Sequence, residues 1–132
     1  MSSTIAQACG MLTHGLYVIG VTDQKLRNAF TAAWVMQVSF DPVMIAFSIN
    51  PEHYSYRLLI SGKVCSVNVL DRGQMTVADH FGRSNPDKMT GYKWREVKTG
   101  APVLCDCLAY FDCEVSHYAD AGDHKLVVCD AV

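Results

Sequence analysis

Several polar residues stand where the chain is expected to bind an anion. His53, Tyr54 and Ser55 precede an apolar stretch with helical spacing, and the free N–H groups and dipole at a helix start favour an anion. Arg83 follows Phe81-Gly82, and a guanidinium matches the geometry of phosphate. These residues predict a phosphate site. The alternatives are that Ser55 is only an N-cap and that Arg83 is a solvated surface arginine.

A histidine in a turn is the candidate for proton chemistry. Gly122-Asp123-His124 lies between two apolar runs. A histidine there can shuttle a proton near neutral pH, and Asp123 can hold its ring by a hydrogen bond. The alternative is a histidine that simply ends a polar turn. From the residues alone, both roles stay open for His124, whereas ordinary structural roles are assigned to His14, His80 and His117.

The cysteines first suggest half of a metal site, because nearby thiolates can chelate a soft cation. Alternate positions, however, form one apolar set, namely Cys105, Cys107, Ala109, Phe111, Cys113 and Val115. On a strand, with its period of two, such cysteines are small hydrophobes in a core. Cys65 shares this pattern with Val67 and Val69, whereas Cys9 and Cys129 have no assigned place. No metal site is predicted.

Length and charge limit the classes of function. The chain has 132 residues, half of them hydrophobic, with 11 Lys and Arg against 13 Asp and Glu and a net charge of −2. This length predicts one domain over residues 1–132, and the composition excludes a disordered tail or a coiled coil. The absence of a basic block argues against nucleic acid and anionic membranes. No run approaches the ~20 apolar residues of a membrane span, and the N-terminus lacks signal-peptide features, so a reducing cytoplasm is expected.

Hydrophobic patterning predicts mainly β structure with short helices. Six strands are predicted: Leu16 to Thr22, Leu26 to Ala33, Val43 to Ile49, Val64 to Leu70, Val103 to Tyr118 and Lys125 to Val132. The predicted helices are an N-terminal turn or two, Tyr54 to Ile60 with Gly62 after its end, and Gln74 to Phe81 with Gly82 as its stop. Residues 84–102 form a polar loop, and the last two strands form a hairpin. Without a long crossover helix, this order predicts an antiparallel barrel or sandwich.

Common nucleotide and hydrolase motifs are absent from the sequence. The glycines at 10, 15 and 20 have P-loop spacing but lack the required Lys-Ser/Thr. There is no G-x-G-x-x-G after a strand, no H-E-x-x-H and no G-x-S-x-G. Rossmann nucleotide binding, zinc-protease chemistry and α/β-hydrolase chemistry therefore lose their main support.

The order of several short segments carries more information than any one of them. These segments are Asn28 to Val35, Val38-Ser39-Phe40-Asp41-Pro42, Asn50, Ser55, Gly62, Val67 to Leu70, and Gly122-Asp123-His124. In this order the chain resembles the flavin reductase-like family from about Thr13 to Val132. Val43 stands where the family has a second proline, and the family's C-terminal extension is missing, which affects the expected substrate and nicotinamide contacts.

The resemblance implies a fold, a cofactor and a reaction. The implied fold is mainly β, a six-stranded antiparallel split β-barrel with two or three short helices, which binds FMN, or alternatively FAD, as a homodimer. The implied reaction is hydride transfer from NADH or NADPH to flavin, with His124 facing the nicotinamide. The cofactor-binding residues it implies are Asn28, Thr31, Ala32, Ala33, Trp34, Asn50, His53, Tyr54, Ser55, Phe81 and Arg83.

The chemistry of these residues is compatible with a flavin. The isoalloxazine ring needs an apolar slot and hydrogen-bond donors at its N1, O2 and N5 edge. Ala32 and Ala33 let backbone N–H groups approach a ring, Thr31 adds a hydroxyl, and Trp34 can cover a ring or fill the barrel. The alternative is an ordinary strand with small residues at a crowded position.

Three functions are compatible with the sequence. The first is an NAD(P)H-dependent flavin reductase that passes electrons to free flavin, a partner oxygenase or a metal ion. The second is an FMN protein that only carries electrons, like flavoredoxins or the domains attached to diiron oxygen reductases. The third is a split barrel that binds haem or another planar ligand.

Overall fold

The computed structural model describes residues 3–132. Its helices are α1 (Ser3–Cys9), α2 (Tyr54–Gly62) and α3 (Met75–Phe81), and a 3-10 turn, Arg72–Gln74, leads into α3. Its strands are β1 (Tyr17–Thr22), β2 (Arg27–Ala32), β3 (Val35–Phe40), β4 (Val43–Ile49), β5 (Val64–Val69), β6 (Trp94–Arg95), β7 (Val103–Leu104), β8 (Ala109–Ala121) and β9 (His124–Ala131). The described chain is therefore mainly β with few helices, as the sequence predicts.

Seven strands form one antiparallel sheet in the order β2-β1-β5-β8-β9-β4-β3. The strands β2 and β3 are its two edges. The contact between Phe30 on β2 and Phe47 on β4, whose ring centroids lie 6.3 Å apart, shows that the sheet curls. The chain passes from one edge to the other through only Ala33 and Trp34. This short crossing is the place where the two edges approach each other.

The strand β1 has apolar side chains on both faces, and each face borders a separate core. Ile19 and Val21 lie in the inner cluster with Phe47, Leu59 and other buried side chains. Val18 lies in the outer cluster, where α3 and the segment around β6 and β7 cover the sheet. The alternation of side chains along a strand explains this division. The two helices that follow β4 and β5 are thereby fixed against β1 and β2.

The sheet has seven strands rather than the six that the sequence predicts. The additional strand is β3, in which Met36, Val38 and Phe40 alternate with Gln37 and Ser39. These three apolar side chains are exposed at the edge of the sheet and do not pack into either core. The predicted strand from Val103 to Tyr118 is also interrupted at residues 105–108. The predicted bounds of β4 agree with the structure, and the final hairpin forms with a turn at Gly122-Asp123.

The sequence predicts that Gly62 follows α2, but in the structure Gly62 is the last residue of this helix. The left-handed C-cap is Lys63, with φ 58°. Gly62 is needed for a different reason, because a Cβ there would overlap the Thr22 carbonyl of β1. Close packing of the helix end on the sheet, and not a positive φ, thus selects glycine at this position.

The prediction for the cysteines is correct for Cys113 and Cys65 and wrong for two others. Cys105 is exposed and Cys107 is half-buried, because both precede β8 and lie in the turn where strand alternation does not apply. Cys129, which the sequence leaves unplaced, is buried, with its Sγ 3.7 Å from that of Cys65. Hydrogen bonding to Cys113, then to Cys129, and burial raise the pKa of Cys65 well above its usual value. These three thiols pack in the inner core with the other buried side chains.

Within residues 3–132, no helix has the length and apolar character required to cross a membrane.

Candidate functional site

The predicted ring-binding segment lies on the edge strand β2 and the crossing after it. An edge strand leaves alternate backbone N–H and C=O groups without a strand partner. Ala32 is 8% exposed and packs into the inner core, while Ala33 is half-buried. Thr31 donates its hydroxyl to the Ala78 carbonyl of α3 at 2.5 Å. Its hydrogen is therefore committed to the fold, and the backbone is the donor that this segment can offer a ligand.

The start of α2 forms the clearest polar site next to β2. Its N-cap is His53, whose side chain makes no capping bond, and Tyr54 and Ser55 are the first two helical residues. Ser55 is therefore not the N-cap. Its hydroxyl is buried and accepts a hydrogen bond from Asn28 Nδ2 at 2.9 Å, so its own O–H remains able to donate. The free N–H groups at the start of α2 can also donate hydrogen bonds to an anion.

Arg83 follows the end of α3, next to the part of β2 that contains Thr31. A Cβ added to neighbouring Gly82 would lie 3.9 Å from the Thr31 Cβ. The guanidinium is exposed and forms an ion pair with Asp79 at 3.0 Å, one turn earlier. An anion would therefore have to compete with Asp79 for this arginine. Because both partners are exposed, this competition costs little.

Phe81 occupies a different environment from the other predicted cofactor residues. It is 1% exposed, and its ring lies 4.8 Å from that of Tyr92 and 5.6 Å from that of Trp94. Its side chain packs the outer core and has no surface left for a ring. Phe81 therefore supports the site by fixing the end of α3.

Trp34 and His124 meet at the other end of the crossing. Their ring centroids lie 5.3 Å apart at an interplanar angle of 58°. Trp34 is 57% exposed, so it does not fill the barrel. Its carbonyl accepts a hydrogen bond from Ser48 N at 3.2 Å. The backbone of Trp34 is thus joined to β4, and its indole lies at the surface beside the hairpin of β8 and β9.

Asp123 holds the His124 ring as the sequence predicts. Nδ1 of His124 lies 2.8 Å from Oδ1 of Asp123. This hydrogen bond, and then the charge of His124, lowers the pKa of Asp123. A carboxylate on Nδ1 assigns the proton to that nitrogen and directs Nε2 away from it. The Nε2 atom is therefore the one that can contact a ligand.

Asn50 lies near the same hairpin. Ile49, the last residue of β4, pairs with Lys125, so Asn50 lies one residue beyond β4 and opposite His124 at the start of β9. The Asn50 side chain accepts from Glu52 N at 3.0 Å, and its carbonyl accepts from His53 N at 3.1 Å. Asn50 thus shapes the turn that leads from β4 into α2. The structure brings the predicted residues into two groups along β2, one at α2 and the hairpin and the other at α3.

An apolar pocket of about 290 Å³ lies elsewhere, against β3. Its lining includes Tyr17, Val35, Met36, Val43, Val69 and Phe111, with Gln37 and no charged side chain. None of the predicted site residues contributes to it. The pocket lacks the cation and donors that a phosphorylated cofactor requires, so the groups along β2 are the better candidate site.

Sequence reasoning missed Lys88, which it placed in the polar loop. Lys88 is 7% exposed, although residues 82–87 before it are exposed. Burial lowers its pKa. A lysine within a run of polar residues is usually solvated, so no pattern in the sequence indicates its burial.

A family model described as Flavin reductase like domain matches residues 9–132. Among curated proteins, the chain is 30% identical over 131 residues to diflavin flavoprotein A 1 of Synechocystis sp., covering 96% of this chain and 23% of that protein. It is also 33% identical over 105 residues to an FMN reductase (NADH) of Rhizobium rhizogenes, covering 78% of this chain and 61% of that protein. The chain therefore spans about a quarter of the first relative's length.

Solved structures include the same fold. An FMN-binding protein from Thermus thermophilus, in a structure with bound 1-cyclohex-2-enone, aligns with a TM-score of 0.85 and 25% sequence identity. The alignment covers 92% of this chain and 70% of that one.

Proposed function

Because the chain belongs to the flavin reductase-like domain family, we propose that it is an FMN-binding flavoprotein that accepts reducing equivalents from NADH or NADPH. Its electrons would go to free flavin or to a partner. The single observation that carries this proposal is the arrangement along β2. Ser55 at the α2 start contacts Asn28 on one face of the strand, the Gly82-Arg83 end of α3 lies beside Thr31 on the other face, and the backbone of the edge strand runs between them.

We assign the side chains on the two sides of β2 and the backbone of the strand to different parts of the cofactor. Ser55 and Arg83 would hold the phosphate, because each can supply donors to an anion. Residues 31–33 would offer backbone groups to the ring edge, and the exposed Trp34 would border the ring. When bound, FMN would supply the hydride and electron chemistry, which no amino-acid side chain provides.

His124 would orient the electron donor. Its ring is 25% exposed and is fixed between Trp34 and Asp123. With Nδ1 engaged by Asp123, Nε2 is directed outward and can contact the nicotinamide amide or move a proton. Such a group acts by positioning the reactant.

The proposed assembly is a homodimer that uses the exposed face of β3. This edge strand and its neighbourhood present a large apolar surface. The exposed side chains are those of Trp34, Met36, Val38, Phe40, Val43, Leu108 and Phe111. Apolar surfaces of this kind mark protein interfaces. The curled sheet, with its edges at β2 and β3, would then serve as a split barrel whose site is bordered by a second copy.

A second candidate function is an electron carrier that receives electrons from a protein donor. Similarity to the diflavin flavoprotein of Synechocystis favours it, since the matching region is only part of that longer protein. The free thiols of this chain suit a reducing cytoplasm in either case.

Anaerobic rapid mixing distinguishes the two candidates. FMN-loaded protein is mixed with NADH or NADPH, and bleaching of the flavin band is followed. The reductase proposal predicts saturable reduction by at least one nicotinamide. A protein that binds FMN but is reduced by neither belongs to the electron-carrier class, and a protein with no flavin spectrum contradicts both.

A further inference from the structure

Lys88 is a buried cation without a charged partner among residues 3–132. Its ammonium lies 3.4 Å from the Phe81 carbonyl and 3.4 Å from the Arg83 carbonyl. Both acceptors are neutral, and these distances exceed the usual range for an N–H···O bond. The ion pairs found in the described chain, which involve Arg83, His124 and Lys125, do not include Lys88.

The burial of this lysine is selective. Residues 82–87 before it are exposed, whereas Lys88 is only 7% exposed. Its carbonyl accepts a hydrogen bond from His80 Nε2 at 2.7 Å. The loop therefore folds back on the end of α3 and encloses its own lysine. Removing an ammonium from water is unfavourable unless it is compensated, and burial lowers the pKa of Lys88 accordingly.

The loop places Lys88 next to the backbone segment that carries Arg83. Gly82, between the two carbonyls that Lys88 contacts, packs next to Thr31 of β2. Arg83 carries one of these carbonyls on its backbone and a guanidinium on its side chain. The buried ammonium thus contacts the backbone of the same segment whose Arg83 side chain is assigned to the phosphate.

We propose that Lys88 is a positioning residue for the phosphate of the flavin. It fixes the backbone of residues 81–83 and adds positive potential behind Arg83. This inference rests on the proposed function. It differs from a simple helix cap, because a cap stabilises the fold without distinguishing a phosphorylated ligand from its unphosphorylated form.

Riboflavin lacks the phosphate of FMN, so the pair separates the two roles. Lys88→Met keeps much of the side-chain length and removes the charge. We expect it to raise the Kd for FMN on the order of tenfold, as for loss of one nearby charge, and to change the Kd for riboflavin less than about twofold. Lys93→Met is the matched control, since Lys93 is exposed in the same loop, and it should leave both Kd values within about twofold.

Each outcome has a distinct meaning. Wild-type protein that binds neither ligand contradicts the proposed function. Wild-type protein that prefers FMN, together with a Lys88→Met variant of unchanged preference, overturns this inference alone, as does equal weakening of both ligands. If Lys88→Met does not fold, lysine side-chain NMR of the wild type decides the question, with the Lys88 signal assigned by Lys88→Arg. The signal should shift with FMN and not with riboflavin, and an unchanged signal with FMN overturns the inference.

Discussion

The rings of Trp34 and His124 lie with their centroids 5.3 Å apart, tilted by 58°. Trp34 stands on the crossing between the two edge strands, and His124 begins β9 after the hairpin turn. The contact therefore joins the predicted ring-binding segment to the predicted catalytic residue. Asp123 fixes the histidine from the other side, so the ring has little freedom to turn.

Replacement of His124 should affect reduction more than flavin affinity. We expect His124→Ala to slow reduction of bound FMN by nicotinamide by on the order of ten- to a hundred-fold, because a positioning group is lost. The Kd for FMN should change little. His117→Ala, an exposed histidine on the same hairpin, is the control. Stopped-flow reduction at the wild-type rate would reduce His124 to a turn residue.

The phosphate site should be visible in a double variant. Ser55→Ala with Arg83→Ala removes a buried donor and a guanidinium, so FMN binding should weaken on the order of tenfold or more. Riboflavin binding should be nearly unchanged. The control is Arg72→Ala, because Arg72 lies in the 3-10 turn before α3 and outside the candidate site. Unaltered FMN affinity in the double variant, measured by fluorescence titration, would show that the phosphate is bound elsewhere.

The exposed face of β3 should be buried in a dimer interface. We expect a homodimer with roughly 1,200 Å² or more of total buried area, the lower end for stable interfaces. Met36→Glu with Phe40→Glu places charges on residues that are 60% and 86% exposed and should yield monomers in light scattering. Leu12→Glu, 64% exposed in the N-terminal segment, should remain dimeric. Monomeric wild-type protein with FMN bound would contradict this prediction.

Thiol reactivity should follow burial. Cys9 and Cys105 are exposed and should react rapidly with Ellman's reagent in the native protein. Cys65, Cys113 and Cys129 should react only after unfolding. Because hydrogen bonding and burial raise the pKa of Cys65, this thiol should also remain protonated, and therefore unreactive, at neutral pH. Rapid native reaction of the core thiols would contradict the placement of these cysteines.

The sequence predicts those parts of the fold in which pattern and burial agree. The strand β4 is mostly apolar, is followed by Asn50-Pro51 and has its predicted bounds. The strand β3 is missed although Met36, Val38 and Phe40 alternate with Gln37 and Ser39, because this short segment lies directly before the Asp41-Pro42 break. Cys105 and Cys107 continue the alternation of β8 into a turn where it has no structural meaning.

The site shows the same limit. The order of short segments leads to β2, α2 and His124, and Asp123 makes the predicted hydrogen bond. The burial of Lys88 can be recognised only in the folded chain, because it depends on a loop that packs against α3. Likewise, the commitment of the Thr31 hydroxyl to Ala78 joins two elements whose separation along the chain hides the contact.

The central claim, FMN binding along β2, is tested most directly by titrating flavin-free protein with FMN while tryptophan fluorescence is recorded. Trp34 borders the candidate site, whereas Trp94 lies in the outer core beside Phe81. We predict saturable quenching with a single FMN per chain, and loss of most of that signal in Trp34→Phe at unchanged stoichiometry by absorbance. The absence of any saturable change with FMN or FAD would contradict the account.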